Sequence, residues 1–340
     1  MTAPLRLRLD STALTDNWRT LAAMSGSAAC GAAVKANGYG VGAVEIVKRL
    51  AAAGCRDFFV AIWSEAAALA PLGVQVSVLH GVRDEDMMMA RQGIARPILN
   101  SAGQVARWKA AGGGACDVMI DTGMNRLGLS VDDLPLLHGL EIETLMSHLA
   151  CADEDVAMNE RQRVAFAALA GRTQAKRMSL ANSAGVALGP DYAFDLTRPG
   201  LALYGGIPRA ELGAIRQVVA PEAQILQRRT VAAGQTIGYN ATWTAPAETQ
   251  VAILNLGYAD GYFRGFSNSG AALLDGRRLP LLGRVSMDLV AVDVSAAPEL
   301  AEGDWLALDY ALPEAAAQSG MSQYELLTSL GDRFERVWTG

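Results

Sequence analysis

Lys35 ends the apolar run Gly31-Ala32-Ala33-Val34 and is followed by Ala36-Asn37-Gly38-Tyr39-Gly40-Val41-Gly42. A strand of small and β-branched residues would deliver its amine to the rim of a core, and the glycine-rich turn would let other backbone approach it. An amine held there is partly desolvated, so its pKa falls and it becomes able to form a Schiff base. The bland alternative is a solvated lysine that terminates a strand. Farther along, Ser183 opens Ala184-Gly185-Val186-Ala187, and Gly200-Leu201 follows Arg198-Pro199. A serine at a helix N-terminus beside exposed backbone N–H groups suits a phosphate. An ordinary N-cap and a turn glycine would use the same residue types. A phosphate cup opposite a strand-end lysine points to pyridoxal 5′-phosphate.

These residues need a scaffold that brings distant segments together. Up to about residue 205, apolar runs predict strands near 31–36, 57–63, 75–80, 95–99, 115–121, 142–148, 176–181 and 193–198. Between most of them lie Ala- and Leu-rich segments of helical period, such as Val44–Ala53, Ala102–Ala111 and Val156–Ala170. Eight strands, most followed by a helix, predict a (β/α)8 barrel of the TIM type. A doubly wound sheet would carry GxGxxG after its first strand, and that motif is absent. From about Val218 strands are separated by turns, as at Gln224–Val231, Val251–Leu256, Ala271–Leu274 and Leu289–Val294. Asp275-Gly276 between apolar runs predicts a hairpin, and a helix is expected around Gln323–Leu330. The expected organisation is a barrel over residues 1–217, whose first few residues are free to pair with the second domain, and a mostly β domain over 218–340. Chemistry in such barrels collects at the C-terminal ends of the strands. Lys35, Asp121 to Arg126, His148, Asn182 with Ser183, and Arg198 all fall at predicted strand ends.

Bulk properties exclude several other classes. The chain has 340 residues, 51% of them hydrophobic, enough for a large domain and a smaller one. A net charge of −6 and a pI of about 5.2 provide no basic footprint for nucleic acid or an anionic membrane. No stretch approaches the ~18–20 apolar residues of a membrane helix, and Met1 to Arg8 lacks the pattern of a signal peptide. Cys30, Cys55, Cys116 and Cys151 are scattered without CxxC spacing and read as reduced thiols of a cytoplasmic protein. With His80, His138 and His148 as its histidines, the chain offers no basis for a His-based metal site.

Several segments together resemble the signatures of alanine racemases, from about residue 5 to the C-terminus and in that family's order. They are Val34-Lys35-Ala36-Asn37-Gly38-Tyr39-Gly40, Asp121-Thr122-Gly123-Met124-Asn125-Arg126-Leu127-Gly128, and Ser147-His148-Leu149-Ala150-Cys151-Ala152-Asp153-Glu154. Ala181-Asn182-Ser183-Ala184, Arg198-Pro199-Gly200-Leu201-Ala202-Leu203-Tyr204-Gly205, Gly257-Tyr258-Ala259-Asp260-Gly261-Tyr262 and Gly283-Arg284-Val285-Ser286-Met287-Asp288 complete the set. The resemblance implies a homodimeric, pyridoxal 5′-phosphate-dependent enzyme that interconverts L- and D-alanine and supplies D-alanine for peptidoglycan. Lys35 would hold the cofactor covalently and act as one base. Tyr258, reaching in from the partner subunit, would be the other, since racemisation needs a base on each face of the reacting carbon. His148 would assist Tyr258, although a hydrogen-bonded core histidine is the commoner fate of a lone His at a strand end. Arg198 would face the pyridine nitrogen and keep it unprotonated, because a guanidinium does not readily give up a proton. Tyr39, Asn182, Ser183, Gly200, Leu201 and Tyr324 match cofactor contacts, with surface packing the alternative for Tyr324. Arg126 and the backbone of Met287 match the grip on the substrate carboxylate.

The chain also departs from the family's pattern. Met119 stands where many members carry a lysine, often carbamylated, that positions the neighbouring arginine; Ser179 and Val41 replace common histidines, and Ser286 a common cysteine. None of these removes a base. Other readings are a racemase of another or broader range, such as serine, a decarboxylase of related fold, and a non-enzymatic carrier of the cofactor. A decarboxylase would favour an acidic residue in place of Arg198, and the carrier would lack residues 218–340.

Overall fold

Burial of whole strands, rather than of alternate residues, organises the first half of the chain. Asp57–Val60 and Cys116–Met119 are buried at every position, as expected where helices cover one face of a parallel sheet and the other lines a packed interior. The computed structural model describes residues 3–340. It divides them into two compact units: Leu14–Arg216, and the residues through Ala13 together with Gln217–Gly340.

The first of these is a (β/α)8 barrel. Seven strands pair in parallel and in sequence order: Ala32–Ala33, Asp57–Val60, Gln75–Val78, Arg96–Leu99, Cys116–Met119, Ile142–Met146 and Arg177–Ser179. The eighth, Leu196–Thr197, pairs in parallel with Ala29–Cys30 at the start of the first. Bonds from Gly31 N to Thr197 O (2.9 Å) and Arg198 N to Ala181 O (2.8 Å) tie it to both neighbours and close the ring. The helix Ala43–Ala53 buries Ala43, Ile46, Val47 and Leu50, a spacing of three and four that puts all four on one stripe. At the N-terminal ends of the strands Arg177 grips Asp57 with bonds of 2.7 and 3.1 Å, and Arg96 lies 3.5 Å from the fully buried Asp117. That end carries structural charge, while the opposite end carries the predicted site.

Several predicted strands run past the observed ones, as at 57–63, which ends at Val60 ahead of a helix opening at Trp63, and two have a clear backbone cause. The first strand stops at Ala33 rather than running to Ala36, because a left-handed turn begins immediately after Lys35. The eighth is Leu196–Thr197 rather than 193–198, since Phe194 takes a φ of 52° that a strand does not use.

The second unit is an eight-stranded sheet with its own core. Leu5–Asp10 pairs antiparallel with residues 219–223 and parallel with Glu335–Thr339. The long strand Val219–Val231 also pairs with Thr249–Leu254 and Trp305–Leu308, its register shifting between Ile225 and Gln227. Pro221, which cannot donate to a ladder, hides the first part of this strand from a sequence reading that began at Gln224. The Asp275-Gly276 hairpin forms between Ala271–Leu274 and Arg277–Leu282, both turn residues having positive φ (49° and 80°). Ser322 and Glu325 form a reciprocal cap on the helix Gln323–Thr328.

Candidate active site

Lys35 sits at the head of an unusual turn. Ala36, Asn37, Gly38 and Tyr39 all have φ between 52° and 64°, a left-handed turn that costs roughly 1–2 kcal/mol per non-glycine residue. Local bonds hold it. Asn37 Oδ1 accepts from Ala43 N (3.0 Å), and Glu65 accepts from both Asn37 N (3.2 Å) and Ala61 N (2.8 Å). The turn aims Lys35 into a cavity of about 250 Å³ whose lining includes Met119, Arg126, Ser147 and His148. Burial, then the nearby Arg126 charge, lowers the Lys35 amine below its ordinary value, with Glu65 opposing. That lowering makes the neutral, nucleophilic form easier to reach than for a solvated lysine.

His148 faces the same cavity from the end of the sixth strand. Burial and the cations Arg198, Arg126 and Lys35 pull its imidazole down to about 3, so it is neutral at physiological pH. Arg198, after the eighth strand, is buried and donates from Nη2 to Ser147 O (2.7 Å) and from Nη1 to Ser179 Oγ. Its guanidinium is lowered to about 10 by burial and remains a cation at neutral pH.

Beside these lies a tight backbone cradle. Ser183 is buried, and its Oγ accepts from Gly200 N (2.9 Å) and Ala202 N (3.1 Å). Tyr39 stacks on Tyr204 at 4.8 Å, and a Cβ placed on Gly200 would lie 2.2 Å from the Tyr39 hydroxyl, so only glycine fits. Leu201 begins the helical turn that follows. Asn182 caps the helix Ser183–Ala187, its Oδ1 accepting from Gly185 N (2.9 Å). Buried serine, aromatic hydroxyl and backbone brought close at a glycine fit a small anionic group, and Tyr39 comes from the same turn that Lys35 opens.

Arg126 is exposed, and among the described residues no side chain pairs with it. Asp121 is already committed, its carboxylate accepting from Gly123 N (2.8 Å), Met124 N (2.9 Å) and Asn125 N (2.9 Å) to shape the turn that carries Arg126. Met119, buried in the cavity wall, offers it a thioether and no charge.

Within the sheet unit Tyr258 and Met287 are brought together. Tyr258 N donates to Ser286 O and Ala259 N to Met287 O, both at 3.0 Å. A Cβ on Gly257 would lie 2.2 Å from Met287 O, so the two segments approach as closely as backbone allows. Arg333 clamps them by bonding Asp260 (2.6 Å) on one side and Asp288 (2.8 Å) on the other. Arg264 lies over the Tyr258 ring at 5.0 Å. Tyr324 is exposed on the helix Gln323–Thr328 of this unit, apart in sequence and fold unit from the Ser183–Gly200 cradle.

Sequence reasoning missed Gln162, Thr122 and Glu65, which hold these loops through side-chain bonds. A signal existed for Gln162: Asn159, Gln162 and Phe166 share the buried stripe of the helix Ala157–Ala167, where polar residues are out of place unless bonded.

Known proteins resemble this chain over nearly its whole length. Residues 9–208 match the family model for the alanine racemase N-terminal domain, and residues 218–338 that for the C-terminal domain. The chain is 43% identical to an alanine racemase of Acidiphilium cryptum, covering 97% of this chain and 98% of that one. It is 41% identical to a catabolic alanine racemase of Agrobacterium fabrum, covering 98% and 91%. Among solved structures, an alanine racemase from Bartonella henselae with covalently bound pyridoxal phosphate superposes with a TM-score of 0.90 at 34% identity, covering 100% of both chains.

Proposed function

The chain belongs to the alanine racemase family, and from that premise we propose that it interconverts L- and D-alanine with pyridoxal 5′-phosphate as cofactor. One observation carries the chemistry: a desolvated Lys35 shares a cavity with His148 and Arg126, and a buried Ser183 against the Gly200 backbone and a buried Arg198 that donates to Ser147 O and Ser179 Oγ stand at the neighbouring strand ends. Lys35 would hold the cofactor covalently, while Ser183, Tyr39 and the backbone at Gly200 and Leu201 would hold its phosphate, with Asn182 fixing the helix start and Tyr324 a further contact. When bound, the cofactor supplies a conjugated ring that takes up the electron pair left at Cα.

The protein's own groups then handle protons and orientation. Arg126, with the backbone of Met287, grips the substrate carboxylate. Lys35 takes or returns the Cα proton on one face and the Tyr258 hydroxyl does so on the other. Neutral His148 assists by offering that hydroxyl a hydrogen-bond acceptor that orients it towards Cα. Arg198, which has only donors to offer, would face the pyridine nitrogen and leave it unprotonated, a moderate electron sink.

Tyr258 is assigned to the partner subunit's site, which makes the working unit a homodimer with two shared sites. The reaction is assigned to the cytoplasm, where its D-alanine would enter peptidoglycan. Among the described residues no helix is long and apolar enough to cross a membrane. The deciding experiment incubates purified, cofactor-loaded protein with single L-amino acids in D2O and follows both circular dichroism and deuterium at Cα. Loss of optical activity with exchange for L-alanine supports the reading. Faster reaction of another amino acid changes the substrate, and exchange with retained configuration removes Tyr258 from its role.

A further inference from the structure

Gln162 is wholly buried on the helix Ala157–Ala167, and its side-chain amide is bonded at every useful position. Its Oε1 accepts from Ala150 N (2.8 Å), while Nε2 donates to His148 O (2.9 Å) and to Thr122 Oγ1 (3.3 Å). The amide therefore pairs with the backbone of residues 148–150 as a neighbouring strand would. The third bond starts a chain. Thr122 Oγ1 shares a 2.7 Å hydrogen bond with Ser147 Oγ, Ser147 O accepts from Arg198 Nη2 at 2.7 Å, and Arg198 Nη1 donates to Ser179 Oγ. One helix side chain thus meets the strand-end segment bearing His148, the loop leading to Arg126, and, through Ser147, the guanidinium of Arg198.

We infer that Gln162 is a positioning residue for the racemase chemistry, fixing His148 and Arg198 relative to the cavity by clamping residues 147–150 to Thr122. This inference rests on the racemase reading for its catalytic consequence, and on geometry alone for its structural one. Removing the amide deprives Ala150 N and His148 O of their side-chain partner and takes one of two partners from the Thr122 hydroxyl, all at part-buried positions, and the 147–150 segment relaxes. The Arg126 turn is shaped independently by the three backbone bonds to Asp121. Substrate grip should therefore survive while the placement of His148 and Arg198 does not, and misplacement of about 1 Å costs up to roughly 100-fold in rate.

The test compares wild type, Gln162→Met and Thr122→Val as cofactor-loaded protein, with kcat and KM for alanine measured separately. In parallel, the His148 ring resonances are followed by NMR with and without cofactor, a simple spectrum because the chain has three histidines. Gln162→Met should lower kcat roughly 10- to 100-fold with KM changed less than about threefold, and should move the His148 resonances even in cofactor-free protein. Thr122→Val should lower kcat by a smaller factor in the same direction. Folded Gln162→Met with unchanged kcat and unchanged His148 resonances overturns the inference. If that variant does not fold, Thr122→Val with both readouts at wild-type values overturns it instead. Should wild type fail to racemise alanine, the proposed function falls, while the His148 resonances still decide whether Gln162 positions that segment.

Discussion

Lys35, His148 and Arg198 are each shifted first by burial and then by nearby charge, Arg126 for Lys35, Arg198 for His148 and Asp117 for Arg198, and each makes a separate prediction. Lys35→Ala should abolish racemisation and leave the cofactor dialysable, read by absorbance of the retained ring. Arg198→Glu places an acid at the pyridine nitrogen, which would protonate it and strengthen the electron sink. The expected outcome is slower racemisation with more transamination, seen as pyruvate formed per turnover; an unchanged product ratio would sink the assignment of Arg198. For His148 the folded imidazole titrates at about 3, against about 6.5 for an unfolded chain. Between these values the unfolded chain binds more protons, so the stability present above about pH 6.5 is lost as pH falls towards 3. In cofactor-free protein His148→Gln should therefore lose less Tm than wild type between about pH 7 and pH 4.5, and equal losses would refute the depressed pKa. The departures at Met119 and Ser179 act at this scale too. Arg126 lacks a charged neighbour at Met119, and Ser179 provides Arg198 with a neutral acceptor in place of an imidazole.

The turns matter as much as the side chains they carry. Two glycines permit close backbone approaches that a methyl group would block, at Gly200 against the Tyr39 hydroxyl and at Gly257 against Met287 O. Their alanine variants should fail differently. Gly200→Ala should weaken cofactor binding, read as a raised Kd in fluorescence titration, because it pushes Tyr39 out of the cradle. Gly257→Ala should retain the cofactor and lose kcat, because it separates Tyr258 from Met287. Equal cofactor affinity in both variants would contradict this division. The lysine turn illustrates where element-level reading fails. Apolar residues up to Val34 read as a strand reaching 36, yet four successive positive φ values turn the chain left-handed after Lys35. Alanine and tyrosine seldom adopt that conformation, so no propensity announces it. Contacts through Glu65 and Asn37 impose it.

At the scale of the whole molecule, the assignment of Tyr258 to a partner subunit is tested by mixing. Lys35→Ala and Tyr258→Phe proteins, each inactive alone, should regain part of the activity when heterodimers form, because one of the two shared sites is then intact. Heterodimers without recovery would place Tyr258 in its own chain's site. The amino-acid sequence by itself determined the strand count, the change from α/β to β text near residue 218, the Asp275-Gly276 hairpin, and the motifs that carry Lys35, His148, Arg198 and Tyr258. Each of these is a pattern of neighbouring residues, set by hydrophobic period or by the short-range chemistry of a turn. Only the tertiary structure decided that residues 29–33 close against 195–199, and that Asp121 is spent on its own turn rather than on Arg126. It alone decided that Gln162, 40 residues from Thr122, joins the Thr122 and His148 segments. Those outcomes depend on which polar groups the closing barrel buries together, and a buried group takes whichever partner lies within hydrogen-bond reach, however distant in sequence.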